Sequence, residues 1–175
     1  MSNRNFPALQ LVPLVDIADY HRDAGSSLRL YFTRINPDFV VRFAGDRQSE
    51  VDRELANRLS ETDMRSALAV MARLEAAFRI DYRQRCEMKK PDSVSTAFRK
   101  LFKSRGWKVR LEDEILEVWR QSCPSTRPFI SELRGAFHFR HWLAHGRYWQ
   151  VRNKYDFETL YLLADGVFAS FPLYG

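Results

Sequence analysis

Three histidines and an arginine lie close together in one aromatic-rich stretch of this 175-residue chain, FISELRGAFHFRHWLAHGRYW, residues 129–149. They are His138, Arg140, His141 and His145. Imidazoles transfer protons near neutral pH, and a guanidinium can hold a phosphate through two parallel hydrogen bonds. These side chains are therefore suited to general acid–base chemistry on a phosphodiester.

Helical geometry, at 100° per residue, divides this stretch into two arcs. The apolar arc lies within about 60° of Arg140 and contains Phe129, Leu133, Ala136, Phe137, Leu143 and Ala144. The polar arc lies about 80–160° round from Arg140 and contains Arg134, His138, His141, His145 and Tyr148. We predict one helix over 129–149, loosened or ended near Gly146. Arg140 and His145 stand about 140° apart on it, so we expect two copies of the chain to complete one site, with the apolar arc as the homodimer interface.

Positive charge is concentrated in two segments of a chain whose net charge is +6. Residues 79–110 carry eleven Lys or Arg against three acids, and residues 133–155 carry five and no acid. Such a distribution favours a polyanion partner, RNA first, although a solvated helix face would have the same composition. The predicted RNA-binding residues are Arg99, Lys100, Lys103, Arg105 and Lys108. Trp107, which stands among them, either stacks on a base or covers the core as a lid, and the lid is favoured.

The elements that must position these residues are helices throughout. Apolar periodicity predicts helices over 14–34, 49–59, 64–87, 93–104, 111–121, 129–149 and 157–171, while 38–45 fits a short strand or a helical turn. We therefore predict a single all-α domain, a bundle of six or seven helices, with residues 1–12 as a loosely held arm.

No apolar run is long enough to cross a membrane, and we expect no signal segment at the start of the chain. Cys86 and Cys123 lack a metal-ligand spacing, which fits free thiols in a cytoplasmic protein.

The hexapeptide Arg140-His141-Trp142-Leu143-Ala144-His145 resembles the Arg-x(4–6)-His signature of the HEPN superfamily (higher eukaryotes and prokaryotes nucleotide-binding). In that superfamily the residue after the Arg is often Asn, Asp or His, and here it is His141. The resemblance covers these six residues and the helical pattern, and Arg134 with His141 also has the spacing. It implies a helical bundle that dimerises. Many members are metal-independent ribonucleases, including toxins of toxin–antitoxin and phage-defence systems, and others only bind.

These inferences together predict an endoribonuclease that needs no metal or cofactor and cleaves RNA by attack of the 2′-hydroxyl. Arg140 would hold the phosphate, His145 would act as base or acid, and His141 would orient or assist. Arg134, His138 and Tyr148 would be auxiliary. Expected partners are RNA, a second copy of the chain, and an antitoxin or regulatory protein. Three alternatives stay open: a non-catalytic HEPN-like module that binds RNA or protein, a structural role for Arg140, and a metal site formed by His138, His141 and His145.

Overall fold

The computed structural model describes residues 11–151 and 154–174, and this part of the chain is all-α, as predicted. Its seven α-helices are α1 (Leu14–Tyr31), α2 (Phe39–Arg42), α3 (Gln48–Met88), α4 (Ser93–Arg105), α5 (Leu116–Ser122), α6 (Arg127–Ala144) and α7 (Phe157–Ser170). A π turn (Leu111–Ile115) leads into α5, and a 3-10 turn (Pro124–Thr126) leads into α6. The described residues contain no strand, so the ambiguous run 38–45 is a helical turn. Of the predicted arm, residues 1–10 lie outside the described residues.

The longest helix, α3, corrects the prediction of two helices, 49–59 and 64–87. The 41 residues from Gln48 to Met88 form one helix about 60 Å long. The polar run Ser60–Asp63 resembles an N-cap, but it contains no Gly or Pro to break the helix. Instead, the Thr62 hydroxyl donates to the carbonyl of Arg58 (2.9 Å) within the continuous helix. A potential capping residue therefore does not start a helix where the helical chain already runs through it.

The main hydrophobic core surrounds the second half of α3, which packs against α4, α6 and α7. Fully buried side chains from these helices and from α5 meet there, including Leu74, Phe78, Trp119, Leu133 and Leu160. The first half of α3 packs against α1 and shares with α2 a separate small cluster, formed by Phe32, Phe43 and Val51. The helix that carries the predicted motif, α6, therefore lies against the main core.

The motif helix is shorter at its C-terminal end than the predicted span 129–149. It ends at Ala144, with His145 as the C-cap. Gly146 has a φ of +86°, a conformation that favours glycine, and Arg147 follows with a φ of +58°. Tyr148 therefore lies beyond the helix and is 82% exposed, so its predicted place on the polar arc is wrong. The turn is anchored by Arg147, whose guanidinium binds the Glu61 carboxylate on α3 at 2.8 Å.

Candidate functional site

The apolar arc of α6 faces the core of its own chain. Leu133, Ala136 and Phe137 are buried and belong to the main hydrophobic cluster. The prediction that this arc forms a homodimer interface is therefore wrong, because the arc is already covered by α3 and α7 within one chain. The periodic apolar face of a helix normally packs against the core of its own domain.

Arg140 lies at the edge of that arc and reaches α3. Its side chain is 32% exposed, and its terminal Nη2 binds the Glu75 carboxylate at 3.0 Å. The other oxygen of Glu75 accepts a hydrogen bond from Arg79 Nε at 2.8 Å. One carboxylate thus bridges two guanidiniums. The Nε of Arg140 is buried and has no hydrogen-bond partner among the described residues.

A groove of about 390 Å³ opens beside this bridged pair. Its lining comes from α3, α6, the loop before the π turn and the π turn itself. The lining residues are Glu75, Arg79, Val109, Arg110, Leu111, Glu112, Asp113, Phe137, Arg140 and His141. The groove therefore brings a guanidinium, an imidazole and carboxylates to one surface.

The polar arc of α6 remains exposed. His138, His141 and His145 are all exposed, and the rings of His141 and His145 lie 4.1 Å apart between centroids, tilted by 48°. His141 also faces the ring of Trp149 at 5.9 Å. In the described part of the chain, no three His, Cys, Asp or Glu side chains are placed to hold one metal ion, so the geometry does not favour the histidine metal site.

Arg134 braces the motif helix against the turn that precedes α5. Its Nη2 binds the Glu117 carboxylate at 2.8 Å, and its Nε donates to the backbone carbonyl of Glu112 at 3.4 Å. Hydrogen bonds from Arg120 and Arg134 hold the pKa of Glu117 at about 2, well below its ordinary value. Arg134 therefore helps to position the π turn and α5, and its auxiliary role at the site stays a prediction.

Five charged residues of the groove were not singled out as site residues in the sequence: Glu75, Arg79, Arg110, Glu112 and Asp113. Glu75 does have a signal, because it is the only acid in the run from Ala67 to Phe78, in which Arg73 is the only other charged residue. Arg79 follows it by one helical turn. Glu112 has no such signal, since it is one of four acids between positions 112 and 117 and the π turn shifts the register of its helix.

Glu112 is half-buried, and burial and the neighbouring Asp113 raise the pKa of its carboxyl group above the ordinary value. The positive charges of His138, His141 and Arg134 act in the opposite direction. A carboxylate with a raised pKa is a stronger proton acceptor than an exposed glutamate. Its position in the groove beside Arg140 and His141 makes it a candidate for proton transfer.

The predicted RNA-binding segment adjoins this groove. A second depression, of about 420 Å³, is lined by Arg105, Lys108, Arg110, Asp113 and Glu114, and it shares Arg110 and Asp113 with the first. Arg105 also binds Glu114 at 2.7 Å.

The other predicted RNA-binding residues differ in whether their side chains already form hydrogen bonds within the chain. Lys100 and Lys103 are exposed on α4. Arg99 instead donates to the carbonyl of Lys90 (2.7 Å) and to the Thr96 hydroxyl (3.0 Å), so its guanidinium is engaged within the chain. Arg99 is therefore a weaker candidate for RNA contact than the two lysines.

Trp107 covers the edge of the core. Its ring lies 4.4 Å from that of Phe102 and meets the ring of Tyr82 edge-on at 6.0 Å. These contacts favour the lid interpretation, and 53% of the residue is exposed beside the basic segment, so base stacking stays a prediction.

Comparison of the chain with protein-family models, with curated proteins and with solved structures finds no match. Within the described residues, no helix has both the length and the apolar character needed to cross a bilayer.

Proposed function

We propose that this protein is a metal-independent endoribonuclease that resembles the HEPN superfamily. The observation that carries the proposal is that Arg140 and His141 line one groove, with the His145 ring packed against His141. In this proposal the 2′-hydroxyl of a nucleotide attacks its own 3′-phosphate, and the products are a 2′,3′-cyclic phosphate and a free 5′-hydroxyl. Such a reaction needs a proton acceptor, a proton donor and a positive charge on the phosphate.

Arg140 is proposed to supply that charge. Its Nη2 is held by Glu75, and its Nε is left without a partner among the described residues. A phosphate in the groove would compete with Glu75 for the exposed part of the guanidinium, and the buried Nε would reach the phosphate only after the side chain turns. Because Arg79 also binds Glu75, the carboxylate stays paired when Arg140 turns to the substrate. His145 is proposed to transfer the proton, with His141 beside it to orient or relay.

The RNA strand is proposed to follow the two adjoining depressions. Arg110 belongs to both, so a strand in the groove can continue past it to Arg105 and Lys108. Lysine and arginine contacts of this kind bind phosphates without sequence preference and release counterions. The exposed part of Trp107 lies next to this path and offers a surface for one base.

The test is cleavage of a short RNA by the purified protein with a chelator present. We expect products that end in 2′,3′-cyclic phosphate. Arg140→Ala should lower kcat/KM by about 100-fold or more, as removal of one charge-stabilising donor does. His145→Ala should lower it by a similar factor. Arg22→Ala, at an exposed arginine on α1, is the matched control and should cleave as the wild type does.

We do not expect Arg140→Ala to lose activity through loss of folding. Removing Arg140 leaves Glu75 bound to Arg79, so no buried carboxylate loses its last partner. Far-UV circular dichroism should therefore match the wild type. If both variants cleave at the wild-type rate, the assignment of the site is wrong.

A non-catalytic module that binds RNA or a protein is the second candidate. The observation in its favour is the Arg140–Glu75 pair, because an arginine already neutralised by a carboxylate also fits a structural role. Such a module would bind RNA with a steep salt dependence and leave it intact. Binding without cleavage, together with a measurable loss of stability for Arg140→Ala, would favour it.

The biological setting is proposed from the same resemblance. A cytoplasmic ribonuclease of this kind would arrest growth as a toxin or phage-defence effector, and an antitoxin or regulatory protein would restrain it. Cys86 and Cys123 are free thiols, which fits a reducing compartment. Expression of wild-type protein in growing bacteria should slow growth, and expression of Arg140→Ala should not.

A homodimer is also part of the proposal, through a face other than the buried arc. Light scattering at micromolar concentration tests it.

A further inference from the structure

Glu112 differs from the other acids of the groove in how its carboxylate is engaged. Glu75 binds Arg79 and Arg140, and Asp113 lies 3.5 Å from Arg110. Glu112 forms no ion pair with any residue that the structure describes. It therefore lines the groove with its carboxylate available to a bound molecule.

The backbone of Glu112 is fixed from both sides. Leu111 and Ile115, at the two ends of the π turn, are buried in the core. The carbonyl of Glu112 itself accepts a hydrogen bond from Arg134 on the motif helix. Single π turns inside helices are frequent at functional sites, because they re-aim a side chain without breaking the helix. The turn here places the acid in the lining of the groove.

The charged groups that face Glu112 come from every element around it. Asp113 lies on the same turn, and His138, His141 and Arg134 lie on α6. Glu75 and Arg79 on α3, and Arg110 in the loop before the π turn, line the same groove. The imidazoles are thus near enough to act on the Glu112 charge, and no cation neutralises it directly. The groove region therefore contains two kinds of group that can carry a proton, one carboxylate and the neighbouring imidazoles.

We propose that Glu112 is the general base of this site, taking the proton of the attacking 2′-hydroxyl, and that an imidazolium of the His141–His145 pair is the general acid. The inference rests on the proposed function and assigns a direction to its proton transfers. As the 2′-oxygen forms its bond to phosphorus, Glu112 gains one proton. As the bond from phosphorus to the 5′-oxygen breaks, that oxygen takes one proton from the imidazolium. Exchange with water restores both groups, and no oxidant or reductant takes part.

The test compares Glu112→Gln with the wild type in the full chain, on a short fluorogenic RNA with chelator present, across pH 4.5 to 8.5. For the wild type we expect a bell-shaped profile of kcat/KM, whose acid limb reports ionisation of Glu112. Glu112→Gln keeps the size of the side chain and removes the base. It should lower kcat/KM by about 100-fold or more and abolish the acid limb.

Glu132→Gln is the control, because it makes the same chemical change at an exposed position of α6 outside the groove. It should retain both the rate and the profile. A Glu112→Gln variant that cleaves at the wild-type rate overturns the inference, while RNA cleavage itself still stands. A slower variant that keeps the acid limb overturns it too, since that result would make Glu112 structural. A wild-type protein that leaves RNA intact overturns the proposed function and this inference with it.

Discussion

Replacement of Arg85 by glutamine should strongly destabilise the fold, because it leaves a buried carboxylate without its positively charged partner. Arg85 is only 3% exposed and Asp81 is fully buried, and their side chains meet at 2.7 Å on α3. Arg85 also donates to Asp92 (3.0 Å) and Ser95 (3.2 Å). Asp81 in turn accepts from the backbone N–H of Tyr174 (2.9 Å), so the pair ties the C-terminal segment to α3.

The magnitude follows from what remains in the variant. Breaking a buried ion pair by removing one partner costs about 3–5 kcal/mol, since the other charge is left uncompensated. Asp92 is partly exposed and can be solvated, but Asp81 cannot. We therefore expect Arg85→Gln to lower the free energy of unfolding by about 4 kcal/mol at pH 7. For a chain of this length that corresponds to a Tm lower by roughly 8–16 °C.

The loss should depend on pH in a defined direction. Burial raises the pKa of Asp81 to about 6, against the opposing effects of Tyr174 and Arg85. A carboxyl group whose pKa is raised on folding favours the folded state below its unfolded pKa, and that contribution is lost as pH rises through the folded value. Without Arg85 the ionised carboxylate is more costly still. The difference between variant and wild type should therefore be smaller at pH 5 than at pH 7.

Urea unfolding followed by far-UV circular dichroism, at both pH values, measures these differences. Arg22→Gln, which removes an exposed pair with Asp19, should cost less than about 0.5 kcal/mol. The double variant Arg85→Gln/Asp81→Asn should recover part of the loss, because no buried charge remains. A loss below about 1.5 kcal/mol at pH 7, or a larger loss at pH 5 than at pH 7, would refute this reasoning about the pair.

Two other perturbations test the surroundings of the site. The lowered pKa of Glu117 means that its ionised form stabilises the fold above its unfolded pKa, and this contribution is lost as pH falls toward 2. Glu117→Gln should therefore reduce stability at pH 7 and flatten the acid-unfolding curve, and an unchanged curve would contradict the role of Arg134 as a brace. Lys108→Gln should weaken binding of single-stranded RNA and lower the slope of log K against log salt by about one contact. A fluorescence titration at several salt concentrations measures it. Arg22→Gln, outside both basic segments, is the control, and an unchanged slope for Lys108→Gln is the contrary result.

Local patterns predicted the elements that have local causes. The final helix was predicted over 157–171 and runs from Phe157 to Ser170, because Asp156 caps it and the apolar period is uninterrupted. In α4 the side chain of Asp92 accepts from the N–H of Ser95, as a capping residue does. Failures occurred where a local signal was overridden. Ser60 resembles a helix start but lies inside α3. The apolar period continued to Tyr148, whereas the end that Gly146 indicated is confirmed, because α6 stops at Ala144.

The site was predictable only in part, for the same reason. His138, His141 and His145 are spaced three and four residues apart, so their common exposed face could be inferred from helical geometry. The pairing of Arg140 with Glu75 could not, because it joins residues 65 positions apart on two different helices. The place of Glu112 was likewise hidden, since it depends on a π turn whose register no simple period describes.

The structure also changes the reason for expecting two copies of the chain at one site. On an ideal helix Arg140 and His145 point about 140° apart, which would separate them. Here α6 ends at Ala144, and His145, as the C-cap, packs its ring against His141. His141 in turn lines the groove that contains Arg140. Because His141 joins the two motif residues within one chain, the chemistry proposed for this groove requires no residue from a partner. A homodimer would then add binding surface or regulation rather than complete the reacting set.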